Sequence, residues 1–528
     1  MSALPGNAQV YEGNSVRFPI CYTHRKFVLH TATNVAAQMY VFGTSEEAAP
    51  VARHDRSAKL SSTNASFIED LTIQPVPENR RKGTARNLFP VWFGVNIMPL
   101  TLVTGVLGTT VYGLPPVWAV VAILIGNLLG AVLMALHSVQ GSKLGVPQMI
   151  QARAQFGMYG ALLVLGVVIL VYFGFLASIL VLARDTLAIL IPSFGGTFGL
   201  VVCAVLTLAA VVVGYDFIHR ANRILLGLFG IAVLLLAVFL IIHASGGTAG
   251  SADLHFNGIG FMGMISAAAV WQIAYAPYVS DYSRYLPSGT SSRPAFWYTY
   301  LGCVAGAIPM MVLGALLVVV AGGDGSVADM VSLLPGPAKV FVLIMLFLGA
   351  IDAAVINLYG PSLTVLTMIQ TFKPTWVPRA LARNVIAVLV AIVTTVVAAG
   401  FASDFLNSYL GFITFLMTLL IPWSIINLVD YYIIKKGVYD PAAFIDSSRG
   451  YGNVNIPAVA TYIVTFLIEL PFASSPFYVG TVAAWLDGVD LTWLVGSVVS
   501  FVLYLGLMRL TASRRVNREA APAATASV

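Results

Sequence analysis

Trp92-Phe93-Gly94-Val95-Asn96-Ile97-Met98-Pro99-Leu100-Thr101 lies inside an apolar stretch, Leu88 to Tyr112, long enough to cross a bilayer. Pro99 has no backbone N–H, and its ring opposes continuation of a helix. In lipid, the backbone groups so released must be covered by protein or by a water-filled cavity. A second stretch, Phe261 to Tyr282, carries Pro277 within Trp271-Gln272-Ile273-Ala274-Tyr275-Ala276-Pro277-Tyr278. These are the first and sixth apolar stretches of the chain. Interrupted helices at matching places in two halves of a sequence point to a binding site at the bilayer midplane.

Composition fixes the class around them. The chain has 528 residues, 58% hydrophobic and 9% charged, with a mean hydropathy of +0.87; this is a polytopic membrane protein and excludes a soluble domain. Spans are expected at about 88–112, 116–138, 160–183, 197–217, 222–244, 261–282, 295–321, 338–371, 383–402, 405–434, 456–474 and 489–510, twelve in all. The run 338–371 is long enough to tilt or overrun the bilayer.

Charge placement tests this count, because short cytoplasmic loops collect Lys and Arg. With the N-terminus inside, Arg80, Arg81, Lys82 and Arg86 precede the first span, and Lys143 and Arg153 fall between the second and third. Arg220 and Arg223, Arg284 and Arg293, and Lys373, Arg379 and Arg383 follow on the same side. So do Lys435, Lys436 and Arg449, then Arg509, Arg514, Arg515 and Arg518. Of 28 Lys and Arg residues, Arg184 and Lys339 alone land outside, which favours an even span count with both termini cytoplasmic. The pI near 9.1 follows from these loops; without a continuous basic patch it implies no nucleic-acid partner.

Cys21, Cys203 and Cys303 form no disulfide framework or metal spacing. No His pair stands at i and i+4 within a span, so neither a metal site nor a cofactor is expected. Residues 1–66 are polar and without sustained period, and are read as a disordered cytoplasmic tail or an overextended reading frame; 516–528 read as a second tail.

The segments Trp92-Phe93-Gly94-Val95-Asn96, Gly105-Val106-Leu107-Gly108, Gly126-Asn127-Leu128-Leu129-Gly130 and Gly145-Val146-Pro147-Gln148-Met149-Ile150-Gln151-Ala152-Arg153-Ala154-Gln155-Phe156-Gly157 resemble the nucleobase:cation symporter-1 family, purine/cytosine permease branch. Ala276-Pro277-Tyr278-Val279-Ser280-Asp281-Tyr282-Ser283-Arg284-Tyr285-Leu286-Pro287, Asn357-Leu358-Tyr359-Gly360 and Pro422-Trp423-Ser424-Ile425-Ile426-Asn427-Leu428-Val429-Asp430-Tyr431-Tyr432 extend the match. The resemblance implies an all-α membrane protein with twelve transmembrane helices: a leucine-transporter-like 5+5 inverted repeat (about 88–244 and 261–434) plus two C-terminal helices (about 456–510), within a transporter domain 67–515. Substrate would sit between spans one, six, three and eight, and members take up nucleobases and related rings with a proton or sodium ion.

Flat heteroaromatic rings need faces to stack on and polar groups to read their edges. Tyr172 occupies the place where the family usually has a stacking tryptophan; otherwise it is an interior tyrosine. Trp271 and Tyr275 share a helical face four residues apart, with Gln272 beside them, and packing is their plainer reading. Asn96 and Asn357 match positions commonly polar in the family, although Asn also serves helix–helix bonding in membranes. Leu176 and Ala353 stand where relatives often carry polar groups, which disfavours cytosine itself and favours a less polar or substituted ring. Asp352, inside span eight, is the candidate for proton or Na⁺ coupling, against a protonated acid bonded to a carbonyl. Asp281 and Arg284 at the cytoplasmic end of span six, and Asp430 at that of span ten, are read as gate candidates or helix caps; for Arg153, with Lys143, Gln148 and Gln151 in the second-to-third loop, the resemblance implies an inside gate, against a solvated loop. Glu469, just before Pro471, is expected to reach water.

The expectation is thus a non-enzymatic secondary active transporter of the plasma (inner) membrane importing a nucleobase or related heterocycle, proton coupling favoured over sodium. An amino-acid or vitamin-like carrier of the same fold, or a non-transporting membrane sensor, is the alternative. The motifs of membrane-embedded enzymes and the charge rings of channels are missing from the spans. Oligomeric state is not legible.

Overall fold

The computed structural model describes residues 75–520 apart from 214, 246–254, 324, 374–375, 377–379 and 445–450. The predicted tail 1–66, Cys21, Arg379 and Arg449 lie outside the described residues. The described residues are almost wholly helical. The first half runs α1 (Leu88–Asn96), α2 (Pro99–Thr110), α3 (Pro116–Leu144), α4 (Gln148–Phe156), α5 (Ala161–Leu190), α6 (Gly196–Val213) and α7 (Tyr215–Ser245). The second runs α8 (Gly258–Ile273), α9 (Ala276–Ser283), α10 (Ser292–Ala321), α11 (Val327–Met330), α12 (Gly336–Phe372), α13 (Ala380–Phe401) and α14 (Phe405–Val429). Then come α15 (Ile456–Glu469), a two-residue hairpin of β1 (Ser474–Ser475) and β2 (Tyr478–Val479), α16 (Thr481–Trp485) and α17 (Thr492–Ala520).

Among the described residues nine helices are long and apolar enough to cross a membrane, and the α1–α2 pair, bent by 62°, makes a tenth crossing if taken as one span. Two shorter apolar helices, Gly196–Val212 and Ile456–Phe472, accompany them. The protein is an integral, multi-pass membrane protein. At 37 residues and about 1.5 Å rise per residue, α12 reaches about 55 Å, well beyond a hydrocarbon core of roughly 30 Å.

Close packing is organised by glycine. In lipid, helices associate through small residues that let backbones approach. A Cβ on Gly126 or Gly130 of α3 would collide with the carbonyls of Ile265 and Ala269 in α8. One on Gly302 or Gly306 of α10 would collide with those of Phe89 and Phe93 in α1. Elsewhere α5 lies along α12, and α17 closes against α14 and α15.

Candidate functional site

The first span breaks where its proline predicts. Ile97 (φ −87°, ψ 76°) and Met98 (φ −145°, ψ 160°) leave the helical region, and α2 restarts with Pro99 in its first turn. The broken ladder is patched locally: Thr101 Oγ1 donates to the Asn96 carbonyl at 2.8 Å. Thr104 Oγ1 bonds the Leu100 carbonyl at 2.9 Å and meets the Tyr409 hydroxyl at 2.8 Å.

The sixth span departs from expectation. Ala274 and Tyr275, between α8 and α9, keep helical angles, Ala274 N still donates to Val270 O at 2.8 Å, and Gly258–Ser283 runs as one crossing. Pro277 falls in the first turn of α9, where a missing N–H is tolerated, so the interruption tightens to a single turn. One deeply broken span therefore faces one turned span. They touch at Asn96, which is fully buried, donating to the Trp92 carbonyl at 2.7 Å and accepting from Trp271 Nε1 at 2.8 Å.

An aromatic group is assembled around this tie. Tyr172 of α5 stacks on Tyr278 of α9 at 5.9 Å and 21°. Tyr278 meets Tyr275 edge-on, Tyr275 meets both Trp271 and Trp92, and Trp271 meets Phe175. The Tyr275 hydroxyl is buried with no hydrogen-bond partner. Tyr172 also lies against Gly360 of α12, where any Cβ would strike its ring. Tyr278, absent from the predicted set, joins span six to span three through Tyr172, as Trp271 does through Phe175; its spacing from Trp271 and Tyr275 on one helical face carries the signal.

Other predicted residues sit apart. Gln272 turns toward spans two and seven, donating to Asn127 Oδ1 at 2.7 Å, with its Oε1 unpartnered. Asn357 is half-buried and bonds the Ala353 carbonyl one turn back at 2.9 Å. Asp352 is half-buried on α12. Its neighbours Ala350 and Ala353 line a void of about 10 Å³ with Met98, Pro99, Leu100 and Ile179, so span eight meets span one at the break. A larger cavity of about 230 Å³ is walled by Tyr112, Ser266, Val270, Thr414, Ser474 and Asp490. Val270 puts it one residue from Trp271.

At the end bearing the basic loops the described residues around α4 are closely packed. Helix α4 is buried along nearly all its length. Gln148 N donates to Asp281 Oδ1 at 3.0 Å, and the Ser280 hydroxyl bonds Gln148 Oε1 and the His137 carbonyl. Arg153, 5% exposed, donates to Phe444 O at 3.1 Å and Thr371 Oγ1 at 3.2 Å. Burial pushes its guanidinium down to about 10, still cationic at neutral pH. Arg284 is buried and donates to the Tyr285 hydroxyl at 3.1 Å. Lys143 bonds the carbonyls of Ser288 and Thr290. Asp281 and Arg153 are thus brought to the same end, through different contacts.

Asp430 stands at the C-terminal cap of α14, its N–H bonded to the Asn427 and Ile426 carbonyls; buried at a turn of π-helix, its carboxylate accepts from the Tyr439 hydroxyl, and from that of Tyr504 at 2.9 Å. A second acid departs from expectation. Glu469 does not reach water. Pro471 closes a tight turn, Leu470–Phe472, that folds the chain back and leaves Glu469 fully buried against Gly496. Among the described residues no cluster of three or more His, Cys, Asp or Glu could hold a metal ion.

Residues 75–496 match the family described as permease for cytosine/purines, uracil, thiamine, allantoin. The chain is 39% identical over 453 residues to the putative purine-cytosine permease YxlA of Bacillus subtilis, covering 85% of this chain and 97% of that one. It is 24% identical over 472 residues to the purine-cytosine permease fcyB of Emericella nidulans, covering 85% and 90%. Its fold is similar to that of Mhp1, a nucleobase-cation-symport-1 family transporter solved closed with bromovinylhydantoin bound, at TM-score 0.66 and 18% identity over 84% of this chain and 96% of that one. With a broken first span, an aromatic group beside it and a family match over most of its length, the chain belongs to the cytosine/purine permease family and is a transporter, not an enzyme.

Proposed function

We propose that the chain imports a nucleobase or related small heterocycle by proton-coupled symport, through alternating access of a 5+5 inverted repeat followed by two further helices, with both termini cytoplasmic. The repeat reading is supported by register. Gly126 and Gly130 abut Ile265 and Ala269, while Gly302 and Gly306 abut Phe89 and Phe93; each member of one set lies 176 residues from its counterpart in the other. Spans two and six thus pack as spans seven and one do. Under the same offset Asn96 corresponds to Gln272, pairing two buried amides.

The observation that carries the substrate reading is the aromatic group Tyr172, Tyr278, Tyr275 and Trp271 at the break of span one. It offers faces to a flat ring, and the tyrosine hydroxyls supply donors and acceptors for its edge. An amino-acid carboxylate would need free backbone N–H groups at the break; Pro99 has none, and those of Ile97 and Thr101 are spent on the Gly94 and Met98 carbonyls. The apolar Leu176 and Ala353 favour a substituted or less polar ring over cytosine. Coupling is assigned to Asp352, whose helix meets the span-one break. The cavity walled by Tyr112 and Asp490 is the outward vestibule, and the closely packed basic end is the closed cytoplasmic gate.

The test is a thermal-shift screen of the purified protein against purines, pyrimidines, hydantoins, allantoin and vitamin-like rings, at several pH values with and without Na⁺, followed by uptake into proteoliposomes. Protection by heterocycles, strongest at low pH, is expected. Protection by amino acids and by no ring compound would overturn the reading.

A further inference from the structure

The two helices beyond the repeat carry a buried acid that the substrate centre does not use. Glu469, in the last turn of α15, is 0% exposed, and neither carboxyl oxygen has a hydrogen-bond partner. Its Oε1 occupies the space that a Cβ on Gly496 would fill, so the carboxyl lies directly against the backbone of α17. Ile421 of α14 closes the same site. The titratable groups facing it are Tyr462, on its own helix, and Asp490, ahead of α17. Tyr462 is engaged with the Leu419 carbonyl at 3.0 Å. Asp490 is engaged with the backbone N–H groups of Ser474 and Thr492 and with the Thr492 hydroxyl. Among the described residues no cation on these elements faces the acid.

An ionised carboxylate cannot persist in such a place without a partner, whereas a neutral carboxyl can. We propose that Glu469 is a proton-binding site in the C-terminal helix pair, separate from the substrate centre. The surroundings give it a polar line of approach. Thr492, Gly496, Ser500 and Tyr504 recur every fourth residue along α17 and so share one face. The Ser500 hydroxyl bonds Thr465 at 3.2 Å, one turn before Glu469. At one end of this face Asp490 lines the 230 Å³ cavity; at the other Tyr504 bonds Asp430. A proton from cavity water binds the Glu469 carboxylate to give the neutral acid, with no other bond made or broken. The segment between α15 and α17 contributes Ser474, Ser475, Pro476, Gly488 and Asp490 to the cavity wall. Proton occupancy of Glu469 therefore holds both helices anchoring that wall in their packed arrangement.

The test is infrared difference spectroscopy of the full chain in lipid, wild type minus Glu469→Gln, across pH. The C=O stretch of a protonated carboxyl is expected at pH 7, giving way to carboxylate bands only at alkaline pH; carboxylate bands already present at pH 7 overturn the proposal. If Glu469→Gln does not fold, the wild-type minus Gly496→Ala spectrum takes its place, because a methyl there displaces the carboxyl and must shift its band; an unshifted band overturns it too. Stability gives a second readout. An acid that holds its proton when folded and releases it when unfolded makes the melting temperature fall as pH rises from 6 to 9, and Glu469→Gln is expected to reduce that slope about twofold or more; an unchanged slope counts against the site. None of these measurements needs substrate, so a failed uptake assay bears on the transport reading and not on Glu469.

Discussion

Trp271 donates its indole N–H to Oδ1 of Asn96 across 2.8 Å, joining span six to the point where span one breaks. Both side chains are buried, and Asn96 spends its own donor on the Trp92 carbonyl. An amide that sequence alone offers as a ligand-reading group is, in this arrangement, the tie that holds the broken span in place.

Replacing Asn96 with Ala leaves the Trp271 N–H buried without an acceptor and should lower stability by about 1–3 kcal/mol. Trp271→Phe removes the donor and leaves the amide oxygen unpaired, at similar cost. In a double-mutant cycle followed by thermal denaturation in detergent, the pair should fall short of the sum of the single effects. Strict additivity would show that the tie contributes nothing.

Tyr172→Phe keeps the ring stacked on Tyr278 and should change substrate affinity by less than about threefold. Tyr172→Leu loses the face and should weaken it by about tenfold, within the worth of an aromatic pair. Equilibrium binding of the best ligand from the thermal-shift screen decides; equal losses in both variants would move the stacking surface elsewhere.

Arg153 tests the proposed gate at the basic end. Burial lowers its guanidinium to about 10 in the folded chain, below the ordinary arginine range. The two states therefore differ in bound protons only above about pH 10, where stability rises with pH. Below pH 9 both are fully protonated, so Arg153 contributes no pH dependence. Arg153→Gln should change uptake by one constant factor between pH 6 and 8, while a cysteine-labelling assay reports increased access to α4 from the cytoplasmic side. A factor that varies with pH over that range would mean the residue does more than hold the gate.

What the chain revealed in advance, and what it hid, divides along physical lines. Pro99 was readable because a missing N–H acts within its own helix, and the local angles at Ile97 and Met98 carry its consequence. Pro277 misled because its effect depends on where the preceding turn ends: Ala274 and Tyr275 stay helical, and the ring falls into a first turn that tolerates it. The Asn96–Trp271 bond joins residues 175 positions apart, and no single-sequence period encodes such a pair. Tyr278 was within reach, since Trp271, Tyr275 and Tyr278 fall at i, i+4 and i+7. Glu469 was misplaced because Pro471 reads equally as an exit to water or as a fold-back, and only the close approach of Gly496 selects the second.

The glycine register makes a symmetric prediction. Gly130→Leu forces α3 from α8, and Gly306→Leu forces α10 from α1, each by overpacking worth about 1–3 kcal/mol. If the halves are related by the 176-residue offset, the two variants should lose similar thermal stability and yield, measured side by side. A large loss in one and none in the other would leave the matching contacts without common origin.

The proposed coupling role of Asp352 is open to a direct test. The residue stands on α12 beside Ala350 and Ala353, which meet Met98 and Pro99 at the break, so a change in its charge acts where span eight closes on span one. A carboxylate that gains a proton from the outer side becomes easier to bury, and closure is then favoured only when the proton is bound. Asp352→Asn mimics the protonated state permanently. Substrate should still bind and exchange across proteoliposomes, because the neutral side chain permits closure, but accumulation against a gradient and its dependence on external pH should both be lost. Accumulation that persists in the Asn variant with its pH dependence intact would transfer the coupling role to another group.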